Sequence, residues 1–243
     1  MTGVQTCVSD LLTTIKAITL DLDDTLWPVW PAIEGAEKAL DDWLGQHAPM
    51  TAALYGNPVA RLEVREQVTR SRPELKHELS TIRREAIRLA LQRSGEDPQL
   101  AEAAFDVFFA ARNRVTLYED ALLALQFLSS RFPLVALSNG NADIARIGIG
   151  GYFRASISAQ AFGVGKPDPR IFHAAAGAAE VLPGQVLHVG DDATLDVLGA
   201  LNSGMQAVWL NREDHLWEHS HVPHATVGTL TELCALFAHP CRF

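Results

Sequence analysis

The chain has 243 residues, of which 48% are hydrophobic, and a formal net charge of −9 at pH 7. This length suffices for one sizeable core plus a smaller second unit, and the acidic balance disfavours nucleic acid as a partner. Cys7, Cys234 and Cys241 lack metal-binding or redox spacing. Without a signal-peptide pattern or a membrane-spanning run, the sequence predicts a cytoplasmic protein with no membrane partner, whose residues 1–15 form a short tail or expression remnant.

The first motif is a pair of carboxylates at the end of a short apolar run. Asp21 and Asp23 follow Ile18-Thr19-Leu20 and are separated by one residue. Side chains two positions apart on a strand point the same way, so both carboxylates would project from the carboxyl end of a strand, where open α/β sheets bind ligands. A nucleophile and a general acid/base on one rigid element suit a two-step displacement, although a simple strand-to-turn junction is the alternative.

A hydroxyl and a lysine form the second and third motifs. The apolar run before Ser138-Asn139-Gly140 predicts a strand that ends in a tight turn, where the Ser138 hydroxyl and turn amides would make a small anion cradle. Further on, Lys166 precedes a helix that we expect to begin near Asp168, with proline in its first turn.

The fourth motif is a second acidic strand end. Val186-Leu187-His188-Val189 leads into Gly190-Asp191-Asp192, and Asp196 follows four positions later. The pattern therefore predicts three strand ends that carry acid or hydroxyl groups and one loop that carries a lysine.

Between the first and second motifs the composition changes. From about Trp30 to Arg114 the pattern is helical and charged, whereas both flanks alternate buried strands with helices. We expect an α/β fold with a doubly wound, Rossmann-like parallel-sheet core (residues 1–29 and 115–243) and an inserted α-helical cap (30–114). Two cap helices are expected, one with Leu75 to Leu89 on its apolar face and one over 101–115 with packed phenylalanines.

In this order and spacing, the four motifs resemble those of the haloacid dehalogenase superfamily of aspartate-nucleophile phosphatases with a C1-type helical cap. The resemblance covers about residues 18–236. It implies a phosphoric monoester hydrolase that acts on a small-molecule phosphate ester. The loops around Ser138, Asp191 and Met205 are similar to those of bacterial phosphatases acting on flavin-pathway phosphates, such as FMN or 5-amino-6-(5-phospho-D-ribitylamino)uracil, which suggests a role in riboflavin biosynthesis.

Electrostatics also predicts a metal. If Asp21, Asp23, Asp191 and Asp192 converge near a phosphate, each close pair of like charges costs about 4 kcal/mol at an effective dielectric of 20. One lysine cannot offset this, and Mg²⁺ best suits such oxygen ligands. We interpret the four motifs as lacking Cys and His, which argues against zinc.

The resemblance assigns a role to each motif residue. It implies Asp21 as nucleophile, Asp23 as general acid/base and Lys166 as a catalytic cation. The metal ligands would be the Asp21 carboxylate, the Asp23 backbone carbonyl and Asp191. Phosphate would be bound by Thr25, Ser138, Asn139 and Lys166. Asp192 and Asp196 are left between supporting a metal-bound water and orienting Lys166, and Asp192 could equally cap a helix.

Substrate choice is expected to come from the cap region. Trp27 and Trp30 could stack on a substrate ring or, as the sequence favours, pack at the hinge. His77, Arg83 and Arg84 could reach a polar group of the substrate, although an ordinary solvated face is the favoured interpretation.

Other functions stay open at this point. A nucleotide or sugar-phosphate phosphatase and a phosphomutase would use the same motifs. A haloacid dehalogenase would share Asp21 but, by resemblance, would not need Asp23 or the metal. A non-catalytic binding protein is disfavoured because the motifs are complete. The oligomeric state is left as monomer or homodimer.

Overall fold

The computed structural model describes residues 14–238, and within them the core is one sheet of six parallel strands. The strands are β1 (Ala17–Leu20), β2 (Leu134–Ser138), β3 (Ala155–Ser158), β4 (Val186–Gly190), β5 (Gln206–Leu210) and β6 (Ala225–Val227). Every residue of β1, β2, β4 and β5 is buried, as expected for a parallel sheet covered on both faces. The expected doubly wound α/β fold is confirmed.

The strand order is β3-β2-β1-β4-β5-β6. The chain therefore winds outward from β1 in one direction and then from β4 in the other, which makes the boundary between β1 and β4 the topological switch point. In the register of these two strands Thr19 lies beside His188 and Leu20 beside Val189. The residues that directly follow β1 and β4 consequently emerge side by side at the place where such sheets bind ligands.

Eleven α-helices accompany the strands in the described part of the chain. They are α1 (Val29–His47), α2 (Pro49–Tyr55), α3 (Pro58–Ser71), α4 (Leu79–Arg93), α5 (Leu100–Arg112), α6 (Ala121–Ser129), α7 (Ile144–Ile147), α8 (Ala159–Phe162), α9 (Pro169–Ala178), α10 (Gly199–Asn202) and α11 (Leu230–Ala238). Local sequence sets several starts. Asp168 accepts a hydrogen bond from the Arg170 N–H, and proline follows it, so α9 begins where the sequence predicted.

The chain divides into two compact units. Within the described residues, the core unit comprises 14–27, Leu117–Gly140 and 148–238, and the cap unit comprises Pro28–Thr116 and Asn141–Ile147. The expected cap, 30–114, is two residues shorter at each end than this unit and lacks the short segment Asn141–Ile147, which the sequence analysis left in the core.

The cap unit packs its helices around its own apolar cluster. Phe105 and Phe108 of α5 are buried in this cluster, as expected for packing residues. The other expected cap helix begins later than predicted, because Leu75 lies in a separate 3₁₀ turn that starts at Pro73, and α4 begins only at Leu79.

Some expectations lie outside the described residues: those for Cys7, Cys241 and the first thirteen residues of the N-terminal tail. Among the helices between residues 14 and 238, none is both long enough and apolar enough to cross a bilayer.

Candidate active site

The two acidic strand ends meet at the switch point. Asp21 directly follows β1 and its backbone N–H donates to the Val189 carbonyl of β4 at 2.9 Å. Asp191 directly follows β4. Carboxylate oxygens of Asp21, Asp191 and Asp196 lie within 4.8 Å of one another, which makes these three the acidic cluster of the site. Asp192, which the sequence placed in such a cluster, is not part of it.

Lys166 lies against this cluster and is itself buried. Its Nζ donates to the Asp21 carboxylate and, at 2.5 Å, to Oδ1 of Asp196. One ammonium group therefore bridges two carboxylates that come from different strand ends.

The Asn139 side chain forms hydrogen bonds with the backbone of Lys166. Its side-chain Nδ2 donates to the Lys166 carbonyl at 2.9 Å, and its Oδ1 accepts from the Lys166 N–H at 2.7 Å. A Cβ on Gly165 would lie only 2.5 Å from that Oδ1, so glycine is required beside it. The Asn139 side chain thus fixes the lysine loop, and its expected role as a phosphate ligand stays a prediction.

Ser138 and Asp23 lie at the next strand end. The Ser138 Oγ accepts from the Gly140 N–H at 2.9 Å, which forms the tight turn that the sequence predicted. A Cβ on Gly140 would lie 2.5 Å from Asp23 Oδ2, so the glycine allows the turn to approach this carboxylate. Asp23 Oδ1 accepts from the Trp27 indole N–H at 2.8 Å. Trp27 is fully buried, which leaves no ring face for a substrate and supports the packing interpretation.

The rest of the first loop stabilises its neighbours. Thr25 is fully buried and its hydroxyl donates to Asp191 Oδ1 at 3.1 Å, so this hydroxyl orients Asp191, and its contact with phosphate stays a prediction. Asp24 has a positive φ of 59°, and its N–H donates to the Trp27 carbonyl at 2.7 Å, as a turn residue does. Arg212, which lies two residues after the end of β5, donates to the Thr25 carbonyl at 3.1 Å.

Asp192 and Asp196 separate into two roles. Asp192 Oδ1 accepts from the N–H groups of Thr194 and Leu195 at 2.8 and 2.7 Å, so it caps the helical segment that follows. Asp196 contacts Lys166 as described, and its Oδ2 accepts from the Asp192 N–H at 3.1 Å. The structure therefore selects helix capping for Asp192 and lysine orientation for Asp196.

His188 is a site residue that the sequence analysis missed. It is buried in β4, its Nε2 lies 3.0 Å from Asp196 Oδ1, and its Nδ1 lies 2.8 Å from the Thr19 hydroxyl. The expectation that no histidine belongs to the motifs was therefore wrong. The available signal was two polar residues, Thr19 and His188, each inside an otherwise apolar run.

Burial and like charge shift the carboxyl groups of the site. Burial raises the pKa of Asp21 well above its usual value. The attraction of Lys166 lowers this pKa, but the negative charges of Asp196 and Asp191 oppose that attraction. Burial, with the charge of Asp196, raises the pKa of Asp191 to about 7. Asp196 has a pKa held below its usual value, since Lys166 and His188 outweigh its burial. Although burial opposes its charge, Lys166 has a raised pKa beside Asp196 and Asp21.

These shifts bear on whether a cation fits. Lys166 is shared between Asp21 and Asp196, and burial together with the charge of neighbouring carboxylates raises the pKa values of Asp21 and Asp191. A divalent cation with oxygen ligands would relieve this repulsion. Asp196 already accepts three hydrogen bonds, which leaves Asp21 and Asp191 as the carboxylates suited to the ion.

Apart from Trp27, the expected specificity residues belong to the cap unit. Trp30 is exposed and lines a pocket of about 170 Å³ within this unit, together with Arg65, Arg83 and Phe108. Arg83 is buried and bonded to Glu37 at 2.5 Å, so its expected solvated position is wrong.

The other two candidates also belong to the cap unit. Arg84 pairs with Glu102 at 2.8 Å and stacks over Phe105. His77 is half-buried in the turn before α4.

Several known proteins are similar to this chain in sequence and in fold. The chain is 34% identical over 230 residues to the 5-amino-6-(5-phospho-D-ribitylamino)uracil phosphatase of Escherichia coli K12, covering 91% of this chain and 96% of that protein. It is 31% identical to a phosphoserine phosphatase of Thermus thermophilus, covering 90% and 98% of the two chains. A crystal structure of a 2-haloacid dehalogenase from Pseudomonas syringae superposes with a TM-score of 0.86 at 37% identity, covering 92% and 98%.

A family model agrees with these similarities. The model for haloacid dehalogenase-like hydrolases matches residues 15–204, which include all four motifs. With this family match over residues 15–204 and its phosphatase relatives, the chain belongs to the haloacid dehalogenase-like hydrolases.

Proposed function

We propose that the protein is a Mg²⁺-dependent phosphomonoester hydrolase that acts through an aspartyl-phosphate on Asp21. The carrying observation is the switch-point cluster, in which Asp21 lies against Lys166 and beside Asp191, with Asp23 two positions further along the same loop. This arrangement supplies a nucleophile, a cation and an acid/base at one strand end.

In the first step a carboxylate oxygen of Asp21 attacks phosphorus, and the bond from phosphorus to the ester oxygen breaks. Asp23 donates its proton to the departing alkoxide, which would otherwise be a poor leaving group. Lys166 and the Ser138 hydroxyl, with backbone amides of the turn, stabilise charge on the other phosphate oxygens, as phosphoryl transfer requires. The Trp27 indole N–H, donated to Asp23 Oδ1, fixes the orientation of the acid.

In the second step water attacks the phosphorus of the aspartyl-phosphate. Asp23, now a carboxylate, takes a proton from that water, and the bond between phosphorus and Asp21 breaks. Inorganic phosphate leaves, and both carboxyl groups return to their starting forms. Two acids on one loop, one of them against a buried lysine, thus supply the nucleophile and both proton transfers of the cycle.

The residues that would hold Mg²⁺ are Asp21, Asp191 and the backbone carbonyl of Asp23. When bound, the ion neutralises charge on the phosphate and on the two carboxylates. Thr25 supports this role, because its hydroxyl donates to Asp191 Oδ1 and limits the rotation of that carboxylate.

The 2-haloacid dehalogenase structure makes dehalogenation the second candidate. A halide is a weak base and leaves without a proton, so a dehalogenase has no use for an acid at Asp23. An alkoxide needs that proton. Asp23, together with the pair of Asp21 and Asp191 whose raised pKa values suit a divalent cation, therefore favours phosphate-ester hydrolysis.

For the substrate, we propose a small phosphate ester of the flavin pathway, with 5-amino-6-(5-phospho-D-ribitylamino)uracil ahead of FMN. The Escherichia coli relative named for the first compound supports this order. The size of the Trp30 pocket in the cap unit, about 170 Å³, is also that of a site for one six-membered ring, since a 150 Å³ cavity is known to bind benzene. Trp30, His77 and Arg84 stay predicted specificity residues, and a cytoplasmic location stays a prediction.

The test is release of inorganic phosphate from flavin-pathway, nucleotide and sugar phosphates, with Mg²⁺ or with EDTA, for wild type and Asp21→Asn. A parallel reaction with 2-chloropropionate measures halide release. We expect Mg²⁺-dependent phosphate release that Asp21→Asn abolishes, and no halide release. Halide release without phosphate release would establish the dehalogenase, and transfer of phosphate to a sugar phosphate in place of water would establish a phosphomutase.

A further inference from the structure

A chain of hydrogen bonds runs from the interior of the sheet to the proposed nucleophile. Thr19 and His188 are neighbours in the register of β1 and β4, and the Thr19 hydroxyl lies 2.8 Å from His188 Nδ1. His188 Nε2 lies 3.0 Å from Asp196 Oδ1, which also accepts from Lys166 at 2.5 Å. Lys166 in turn donates to Asp21.

The chemistry of Asp196 determines where the ring proton of His188 lies. Asp196 is ionised beside Lys166 and can only accept hydrogen bonds, so His188 Nε2 must carry the proton. Burial lowers the pKa of His188, which keeps the ring neutral and leaves a lone pair on Nδ1. The Thr19 hydroxyl is the donor that satisfies this lone pair. Each bond in the chain thus has one allowed direction, from Thr19 to His188 to Asp196.

The surroundings prevent other arrangements. The His188 ring contacts Phe172 of α9 edge-on, with ring centroids 5.2 Å apart, which restricts its rotation. A Cβ on Gly190 would lie 2.3 Å from Asp196 Cγ, so glycine at the end of β4 is what lets Asp196 reach the histidine. His188 and Asp196 are both buried, and an unsatisfied polar atom would be energetically costly there.

We propose that Thr19 and His188 are positioning residues that fix the Asp196 carboxylate, and through it the Lys166 ammonium group beside Asp21. This inference rests on the proposed function, because it assigns Lys166 its role in phosphoryl transfer. Asp196 thereby serves the lysine, and the cation-binding carboxylates reduce to Asp21 and Asp191.

The first test compares variants that remove or keep each donor. Thr19→Val keeps the shape and removes the hydroxyl, and we expect kcat to fall roughly tenfold with KM little changed. Thr19→Ser restores the donor and should recover kcat. His188→Leu should lose roughly 100-fold, and His188→Gln, whose amide can donate to Asp196, should lose less.

Thr51→Val is the matched control for simple loss of a buried hydroxyl. Thr51 is fully buried in the cap unit and donates to Glu96 Oε2 at 2.5 Å. It should lower the melting temperature about as much as Thr19→Val while leaving kcat unchanged. Equal kcat values for Thr19→Val and Thr51→Val would overturn the proposal.

The second test reads the proton directly. In protein labelled with ¹⁵N-histidine, long-range ¹H–¹⁵N correlation spectra should show His188 protonated at Nε2 alone, with the signal assigned by its loss in His188→Gln. In Thr19→Val the proton should stay on Nε2, because Asp196 still requires a donor, while the Nδ1 resonance should shift as that nitrogen loses the Thr19 hydroxyl. A proton on Nδ1 in the wild type would overturn the proposal. Because this readout needs no turnover, it separates failure of the proton arrangement from failure of the proposed hydrolase activity.

Discussion

The ion pairs of Lys166 in the core unit and the pair of Arg84 and Glu102 in the cap unit differ in depth and in sequence separation. In the core unit, Lys166 joins Asp21 and Asp196, and these side chains are 3%, 10% and 2% exposed. In the cap unit, the pair of Arg84 and Glu102 is 29% and 59% exposed and links neighbouring helices. Buried charge carries a desolvation penalty that surface charge avoids. The buried pairs of Lys166 are therefore best explained by chemistry, and the exposed pair of Arg84 and Glu102 by solubility and packing.

Removal of the shared cation should give the largest effect. Lys166→Met leaves Asp21 and Asp196 buried without their partner, so we expect a loss of about 3 kcal/mol in the free energy of unfolding. Phosphate release should fall by roughly 10³-fold, as when a group that stabilises transition-state charge is removed. Denaturant unfolding and steady-state kinetics measure the two effects. A fully active Lys166→Met variant would refute the assignment of chemistry to the core pairs.

A single added methyl group should disturb the same network. In Gly190→Ala the new Cβ would lie 2.3 Å from Asp196 Cγ, so the carboxylate must move. We expect a loss of about 1–3 kcal/mol and a decrease in kcat of roughly 10²-fold. Gly177→Ala is the control, because its Cβ meets nothing within 4 Å in helix α9 and should slightly stabilise the protein. Equal effects of the two substitutions would contradict this reasoning.

The pH dependence of the metal-free protein should report on Asp191. Its folded pKa of about 7 lies above the ordinary value of 3.8, so the stability it contributes is present at acidic pH and lost as pH rises through 7. Asp191→Asn should flatten this part of the profile. Melting temperatures between pH 4 and 8, with EDTA, test it, and a wild type that gains stability relative to the variant over this range would contradict it.

Loss of an exposed cap pair should give the smallest effect. Arg84→Gln breaks the contact with Glu102 at a solvated position, so we expect a change below about 1 kcal/mol in unfolding free energy. Hydrolysis of a small ester such as glycerol phosphate should be unaffected. A large loss of activity on that ester would show that the cap pairs, like those of the core, serve the chemistry.

The sequence predicted the parts of the site that depend on local pattern. Strand periodicity indicated that Asp21 and Asp191 leave their strands at a common edge, and Asp168 with the following proline indicated the start of α9. The doubly wound core followed from alternating buried strands and helices. These features depend on neighbours within a few positions.

Contacts between distant positions escaped that reasoning. Asn139 bonds to the backbone of Lys166, Thr25 to Asp191, and Thr19 to His188 across 169 positions, and no local periodicity encodes such pairs. Thr19 and Thr25 are fully buried and Asn139 is half-buried, and the partner of each depends on the register of the sheet and the path of the loops.

One short segment has a consequence for the modularity of the protein. Asn141–Ile147 follows β2 in the chain but belongs to the cap unit, where Asn141 donates to Ser80 at 3.2 Å and Asn113 accepts from the Asp143 N–H at 2.7 Å. The polypeptide thus passes between units four times. A chimera that exchanges residues 28–116 alone would leave Asn141–Ile147 packed against a foreign cap. Recombination between relatives must therefore transfer residues 28–116 and 141–147 together.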